Sequence, residues 1–255
     1  MPQGYHWQGR QLMAVTSGTG TTTGSTLATY RYNDEGIRIS KTVAGVEHTY
    51  MYNGGQLAGE LLDNGIALIY LYDEAGGVIG MKYHTASDSL IEYASFFFEK
   101  NLQGDIVAIY NESGTKIGGY TYDAWGKVTP YTSTDSTTIE QQIVQNYNPF
   151  RYRGYYYDIE TGLYYLQSRY YNPEWGRFLS ADAIAVITAS PTMLTDKNLY
   201  AYCDNNPIVR KDEDGAFWDT VFDVVSLGVS IYDVIKNPDD PWAWVGLAAD
   251  VVSLV

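Results

Sequence analysis

NPFRYRGYYYDIETGLYYLQSRYYNPEWGRFLSAD, residues 148–182, packs tyrosines, glycines, arginines and acidic turns more tightly than any other part of the chain. It opens a longer stretch, residues 148–215, whose reading decides the fold. Wide aromatic rings sit well on a pleated, half-buried surface, so Tyr-rich runs broken by Gly read as short β-strands and turns. The whole chain shares this bias, with 25 Tyr, 7 Phe and 6 Trp in 255 residues. Helix-favouring composition is weak before residue 216.

Upstream, looser copies of one unit recur: two aromatics at i and i+2, then Asp or Asn, then Gly, then a short apolar strand. Tyr30-Arg31-Tyr32-Asn33-Asp34-Glu35-Gly36, Tyr50-Met51-Tyr52-Asn53-Gly54, Tyr70-Leu71-Tyr72-Asp73-Glu74-Ala75-Gly76 and Tyr120-Thr121-Tyr122-Asp123-Ala124-Trp125-Gly126 carry it. The glycines fall at 36, 54, 76, 104 and 126, with one irregular interval between 76 and 104. Residues two apart on a strand face the same way, so Tyr-x-Tyr places both rings on one face. The Asp/Asn side chain and the Gly supply the acceptor and positive φ of a hairpin turn. One hairpin cannot bury its apolar face, so the units must add into a continuous sheet. Tyr5-His6-Trp7-Gln8-Gly9-Arg10-Gln11-Leu12 reads as the end of an earlier unit, and the protein is expected to be longer on that side.

Composition excludes several classes. Sixteen basic against thirty acidic residues give a net charge of −14, which disfavours nucleic-acid binding. Cys203 is a lone cysteine, and His6, His48 and His84 lack metal-ligand spacing, so neither a metal nor another cofactor is expected. The N-terminus shows no signal peptide, and no run is long and charge-free enough to be transmembrane. Residues 16–26 and 130–139, rich in Gly, Ser and Thr, read as solvated loops. Asp34, Asp73, Asp123 and Asp158 read as turn acceptors, and the tyrosines as core rather than a sugar-stacking platform.

The repeats, followed by the run from Asn148 through Arg151-Tyr152-Arg153-Gly154 to Asp158, then Glu160-Thr161-Gly162-Leu163-Tyr164-Tyr165 to Pro173 and Trp175-Gly176-Arg177-Phe178, resemble the core-associated domain of RHS/YD-repeat proteins. Asn198-Leu199-Tyr200-Ala201-Tyr202 and Asn205-Asn206-Pro207 continue the likeness. The resemblance implies a mainly β fold of antiparallel strand-turn-strand repeats, spiralling into a shell that encloses a C-terminal toxin segment. It divides the chain into YD/RHS repeats (1–147), a core (148–215) and a helical pre-toxin linker (216–255).

The resemblance also implies a site. In the family a pair of aspartates performs self-cleavage at the end of the core; Asp182 and Asp212 match them, and Arg169 matches a supporting arginine. Two close carboxylates share a proton, one activating water while the other polarises the scissile carbonyl. The cut would fall after Ala216, within Gly215-Ala216-Phe217. This chain departs from the family pattern at Glu213, where proline is expected, and at Ala216, where leucine is expected; the loss of proline's fixed φ puts cleavage competence in question.

Beyond Gly215 the apolar period changes to that of a helix: Trp218, Val221, Phe222, Val225, Val229 and Tyr232 form a stripe opposite Asp219, Asp223 and Asp233. Asn237-Pro238-Asp239-Asp240 ends this short α-helical tail's first helix, and Pro241 opens a second. The expected partner is the chain's own toxin segment, lying beyond the last residue, with a secretion apparatus or cell envelope as further contacts. The expected setting is secreted or cell-surface, within a longer bacterial protein. The competing reading is a cell-surface repeat protein that binds carbohydrate or envelope through its aromatic sheet and cleaves nothing.

Overall fold

The computed structural model describes residues 3–18, 24–85, 94–181, 198–208, 210–212 and 236. Twelve antiparallel strands form one sheet in simple sequence order: β1 (Gln3–Gln8), β2 (Gln11–Ser17), β3 (Thr26–Tyr32), β4 (Arg38–Val43), β5 (Val46–Asn53), β6 (Gln56–Leu62), β7 (Ile66–Tyr72), β8 (Val78–Thr85), β9 (Ala94–Lys100), β10 (Ile106–Asn111), β11 (Lys116–Tyr122) and β12 (Val128–Thr132). A second, four-stranded sheet follows, β13 (Tyr156–Asp158), β14 (Leu163–Leu166), β15 (Arg169–Asn172) and β16 (Arg177–Phe178). The fold is mainly antiparallel β, as the repeats require.

Local chemistry repeats with the strands. In β7, Ile66, Leu68 and Tyr70 are buried in strict alternation, the period-two pattern of a sheet with one face covered. Among the described residues, five turns share one construction, in which an Asn or Asp side chain accepts from the N–H groups two and four residues on. Asn33, Asp73, Asn101, Asn111 and Asp123 are those acceptors. The fourth position needs positive φ, which glycine supplies at Gly76 (82°) and Gly126 (83°). In the first copy the acceptor is therefore Asn33; Asp34 is not used, which corrects the expectation for that residue.

The second aromatic of each unit has a further role. The ladder register slips between His6 and Trp7, Arg31 and Tyr32, Met51 and Tyr52, and Leu71 and Tyr72, placing a bulge at the same point of four units. Bulges increase local twist, so a periodic bulge coils the sheet. On the other side, the Tyr hydroxyl donates to a carbonyl of the preceding strand just beyond the end of its ladder. These bonds are Tyr32 to Leu12 (2.8 Å), Tyr52 to Arg38 (2.7 Å), Tyr72 to Leu57 (2.6 Å) and Tyr122 to Ile106 (2.8 Å).

The loop expected over 130–139 is shorter than that: residues 130–132 belong to β12, 133–137 form the turn, and α1 (Thr138–Tyr147) follows. Thr137 and Glu140 form a reciprocal capping box, and Val144 anchors the helix in the core. At 16–26, β2 runs to Ser17, which hydrogen-bonds Ser25 across the gap; residues 19–23 lie outside the described residues.

The second sheet packs on the tyrosine face of the first. Leu12, Val15, Ala28, Tyr30 and Tyr50 meet Tyr156, Leu163, Tyr165 and Tyr170 in one cluster, and Phe150 joins Tyr70 edge-to-face at 4.7 Å in another. Such ring pairs add about 0.5–1.5 kcal/mol beyond their buried area. Tyr30, Tyr50, Tyr70 and Tyr120 are at most 6% exposed, so their rings are core. Among the described residues no helix is long and apolar enough to cross a membrane. The expected helical tail lies outside the described residues except for Lys236, which is helical.

Candidate functional site

Arg169 opens β15, and its side chain is 3% exposed. The guanidinium lies 3.7 Å from the centre of the Phe178 ring, which holds it flat and dry. From there it donates to the Leu199 carbonyl at 3.4 Å and to the Asp212 carboxylate at 3.3 Å. Arg169 and Asp212, 43 positions apart, are thus brought together.

Asp212 is also fixed through its main chain. The Tyr155 hydroxyl donates to the Asp212 carbonyl and accepts from the Asp212 N–H at 3.3 Å. A second phenol, Tyr202, lies 3.1 Å from the Tyr155 hydroxyl. Burial pushes both phenols well above their ordinary range, so both hydroxyls stay protonated. Asp182, Gly215, Ala216 and Phe217 lie outside the described residues; the described chain ends on that side at Ala181, whose carbonyl accepts from Arg10 at 3.3 Å.

The residues entering the site are gripped from the β9–β10 turn. Asp105, 3% exposed, accepts from Asn101 at 2.7 Å and from the Arg153 N–H at 2.9 Å. That second bond holds Arg153 in the left-handed region, φ 55°, a conformation that costs a non-glycine residue about 1–2 kcal/mol. Arg153 donates to the Gln103 carbonyl at 3.2 Å and to the Pro207 carbonyl, while Gln103 donates to the Ile208 carbonyl at 2.8 Å. Arg153 and Tyr155 were not separable in sequence from the surrounding Tyr/Arg run, nor Gln103 from the ordinary turn residues around it. The one sign was the irregular spacing before Gly104.

Asp158 corrects the reading of it as a turn acceptor. Its backbone carbonyl closes the turn, taking the Thr161 and Gly162 N–H groups at 3.2 and 2.8 Å. Its carboxylate is wholly buried and pairs with Arg38 at 2.6 Å and Lys41 at 3.0 Å; Lys41 also reaches Glu160 at 3.1 Å. Five tyrosine rings, those of residues 30, 50, 156, 165 and 170, surround the Arg38 guanidinium at 4.2–5.8 Å. Burial alone would raise the Asp158 carboxyl, but Arg38 and Lys41 hold it below its ordinary value. This cluster joins the two sheets and lies apart from Asp212. Among the described residues no group of His, Cys, Asp and Glu has the arrangement of a metal site.

An open tyrosine-repeat sheet that carries a smaller sheet on its aromatic face defines the wall of a repeat-built β-shell. The family described as Teneurin YD-shell matches residues 92–208. The tRNA3(Ser)-specific nuclease WapA of Bacillus spizizenii is 37% identical over 226 residues, which are 87% of this chain and 9% of that protein. Toxin subunit YenC2 of Yersinia entomophaga is 38% identical over 86 residues, 34% of this chain and 8% of that one. The structure of the Photorhabdus luminescens Tc holotoxin pore carrying TccC3-D651A matches with a TM-score of 0.60 at 22% identity, over 84% of this chain and 10% of the other, a likeness of fold. The chain belongs to the RHS/YD-repeat proteins. It spans under a tenth of the WapA relative's length.

Proposed function

We propose that this chain is the C-terminal wall and core of an RHS-type toxin shell, divided at 147/148 and 215/216, with residues 216–255 as the linker to a C-terminal toxin segment that the shell encloses and presents. It acts outside the producing bacterial cell as part of a longer protein. Relatives whose names include a nuclease and a toxin subunit support this reading, as does the repeat sheet itself.

The shell severs its own chain once, by hydrolysis of the Ala216–Phe217 peptide bond. Asp182 and Asp212 share one proton; the ionised carboxylate draws a proton from water, and the protonated one polarises the Ala216 carbonyl. Water adds to the carbonyl carbon, and the Phe217 nitrogen leaves with the proton. Arg169 keeps one carboxylate charged. The observation that carries the reading is the partly buried Arg169–Asp212 pair, with Asp212's backbone tied to Tyr155.

Intact mass of the purified 255-residue chain tests it: two species, residues 1–216 and 217–255, are expected. Asp182→Asn and Asp212→Asn should each leave a single full-length species. A chain that stays whole, or cutting that persists in both variants, refutes the dyad.

A further inference from the structure

We infer that Gln103, Arg153 and Tyr155 are positioning residues that hold Pro207, Ile208 and Asp212 by the main chain and so set the register in which Asp212 meets the bond to be cut. This rests on the self-cleavage reading and names what aligns that site.

The three side chains address backbone atoms. Arg153 takes the Pro207 carbonyl, Gln103 the Ile208 carbonyl, and Tyr155 both the carbonyl and the N–H of Asp212. The Ile208 side chain points outward, 63% exposed, so its identity is not read. The gripping groups are themselves fixed. Arg153 is 8% exposed and Tyr155 6%, and the strained backbone of Arg153 is pinned to the Asp105 carboxylate. Strain of this kind persists only where its surroundings over-determine it, and it concentrates at sites that need a set geometry. The Asn101–Asp105 turn, the one after the irregular interval, thus turns the chain and also carries the grip.

A main-chain grip explains how the junction can carry Glu213 where the family has proline. Register is set upstream by bonds that any residue could accept, so the proline's fixed φ is not the alignment device.

The rate of appearance of fragment 217–255 from the full chain tests the inference. Gln103→Ala and Gln103→Glu should each slow it by about tenfold or more, since small misplacements of a reacting group cost up to about a hundredfold. Glu fills the same space but cannot donate, so a merely space-filling Gln103 would be spared by that change. The pH profile of cutting and the thermal midpoint should stay as in the wild type, and Ile208→Ala should cut at the wild-type rate. Wild-type rates in both Gln103 variants overturn the positioning role and leave self-cleavage standing. If the wild type itself stays whole, the self-cleavage reading falls separately. Hydrogen–deuterium exchange then decides the grip: faster exchange across residues 203–212 in Gln103→Ala upholds it, and equal exchange overturns it.

Discussion

Arg38 on β4 and Asp158 on β13 form an ion pair at 2.6 Å with side chains 1% and 0% exposed, 120 positions apart in the chain. It joins the repeat sheet to the second sheet through buried charge. Removing one member of a buried pair strands the other in a dry site, at a cost of about 3–5 kcal/mol. Asp158→Asn strands Arg38 and leaves Lys41 only its contact with Glu160. Urea unfolding should therefore show a fall of that size, well above the loss from Arg31→Ala, whose pair with Glu47 is exposed. Equal losses would mean the cluster is not the tie between the sheets.

The same cluster sets an acid limit. Against burial, Arg38 and Lys41 hold Asp158 below its ordinary 3.8, and the His48 hydrogen bond helps hold the buried Glu60 below 4.5. Carboxyls depressed in the folded state bind protons more readily when unfolded, so their contribution is complete above the ordinary value and lost as pH falls through the folded one. Glu160 runs the other way, because burial and then the neighbouring Asp158 charge raise it above 4.5. Its contribution is present at low pH and is lost as pH rises through its folded value. Stability should thus hold or rise slightly as pH approaches 4.5 from above, and drop steeply below 3.8. Unfolding free energies at pH 7, 5 and 3 check this. The gap between wild type and Asp158→Asn should narrow only in the last step, and a constant gap would count against the assignment.

The shared turn makes a substitution test. Asp73 accepts the N–H groups of Ala75 and Gly77 at 3.0 and 2.7 Å, as Asn33 does in its own copy. Asp73→Asn should be near neutral, whereas Asp73→Ala removes both acceptors and should lower the thermal midpoint. A thermal melt separates the two. If Asp73→Asn costs as much as Ala, the charge and its 3.6 Å neighbour Lys100 matter more than the turn.

These turns were legible because all their partners lie within four residues. Tyr-x-Tyr was legible for the same reason, since strand period alone puts both rings on one face. Asp158 was not, although Tyr-Tyr-Asp looks like the start of another unit. Its turn is closed by its backbone, and its carboxylate answers to Arg38 and Lys41, which no local pattern connects to it. α1 was hidden by the Ser/Thr-rich run before it, yet Thr137-x-x-Glu140 is a readable capping box. Arg169 and Asp212 were named by family likeness, and their contact joins the start of β15 to a residue 43 positions on. Spacing by itself carried no trace of it.

The second tyrosine of each unit supplies the widest test, because one bond is repeated at four places. Tyr32, Tyr52, Tyr72 and Tyr122 each donate to a carbonyl that their neighbouring strand has left beyond its ladder. Phenylalanine keeps the ring and removes only the hydroxyl, leaving a partly buried carbonyl without its donor, at about 1–2 kcal/mol. Tyr110 is the contrast: its hydroxyl reaches only the Glu99 carboxylate at the surface, so Tyr110→Phe should be nearly silent. The four hydroxyls donate to four different carbonyls, those of Leu12, Arg38, Leu57 and Ile106, so the losses should add. Unfolding of Tyr52→Phe, Tyr72→Phe and the double variant checks both size and additivity. A double variant that loses no more than either single would show that these hydroxyls are not what seals one hairpin to the next.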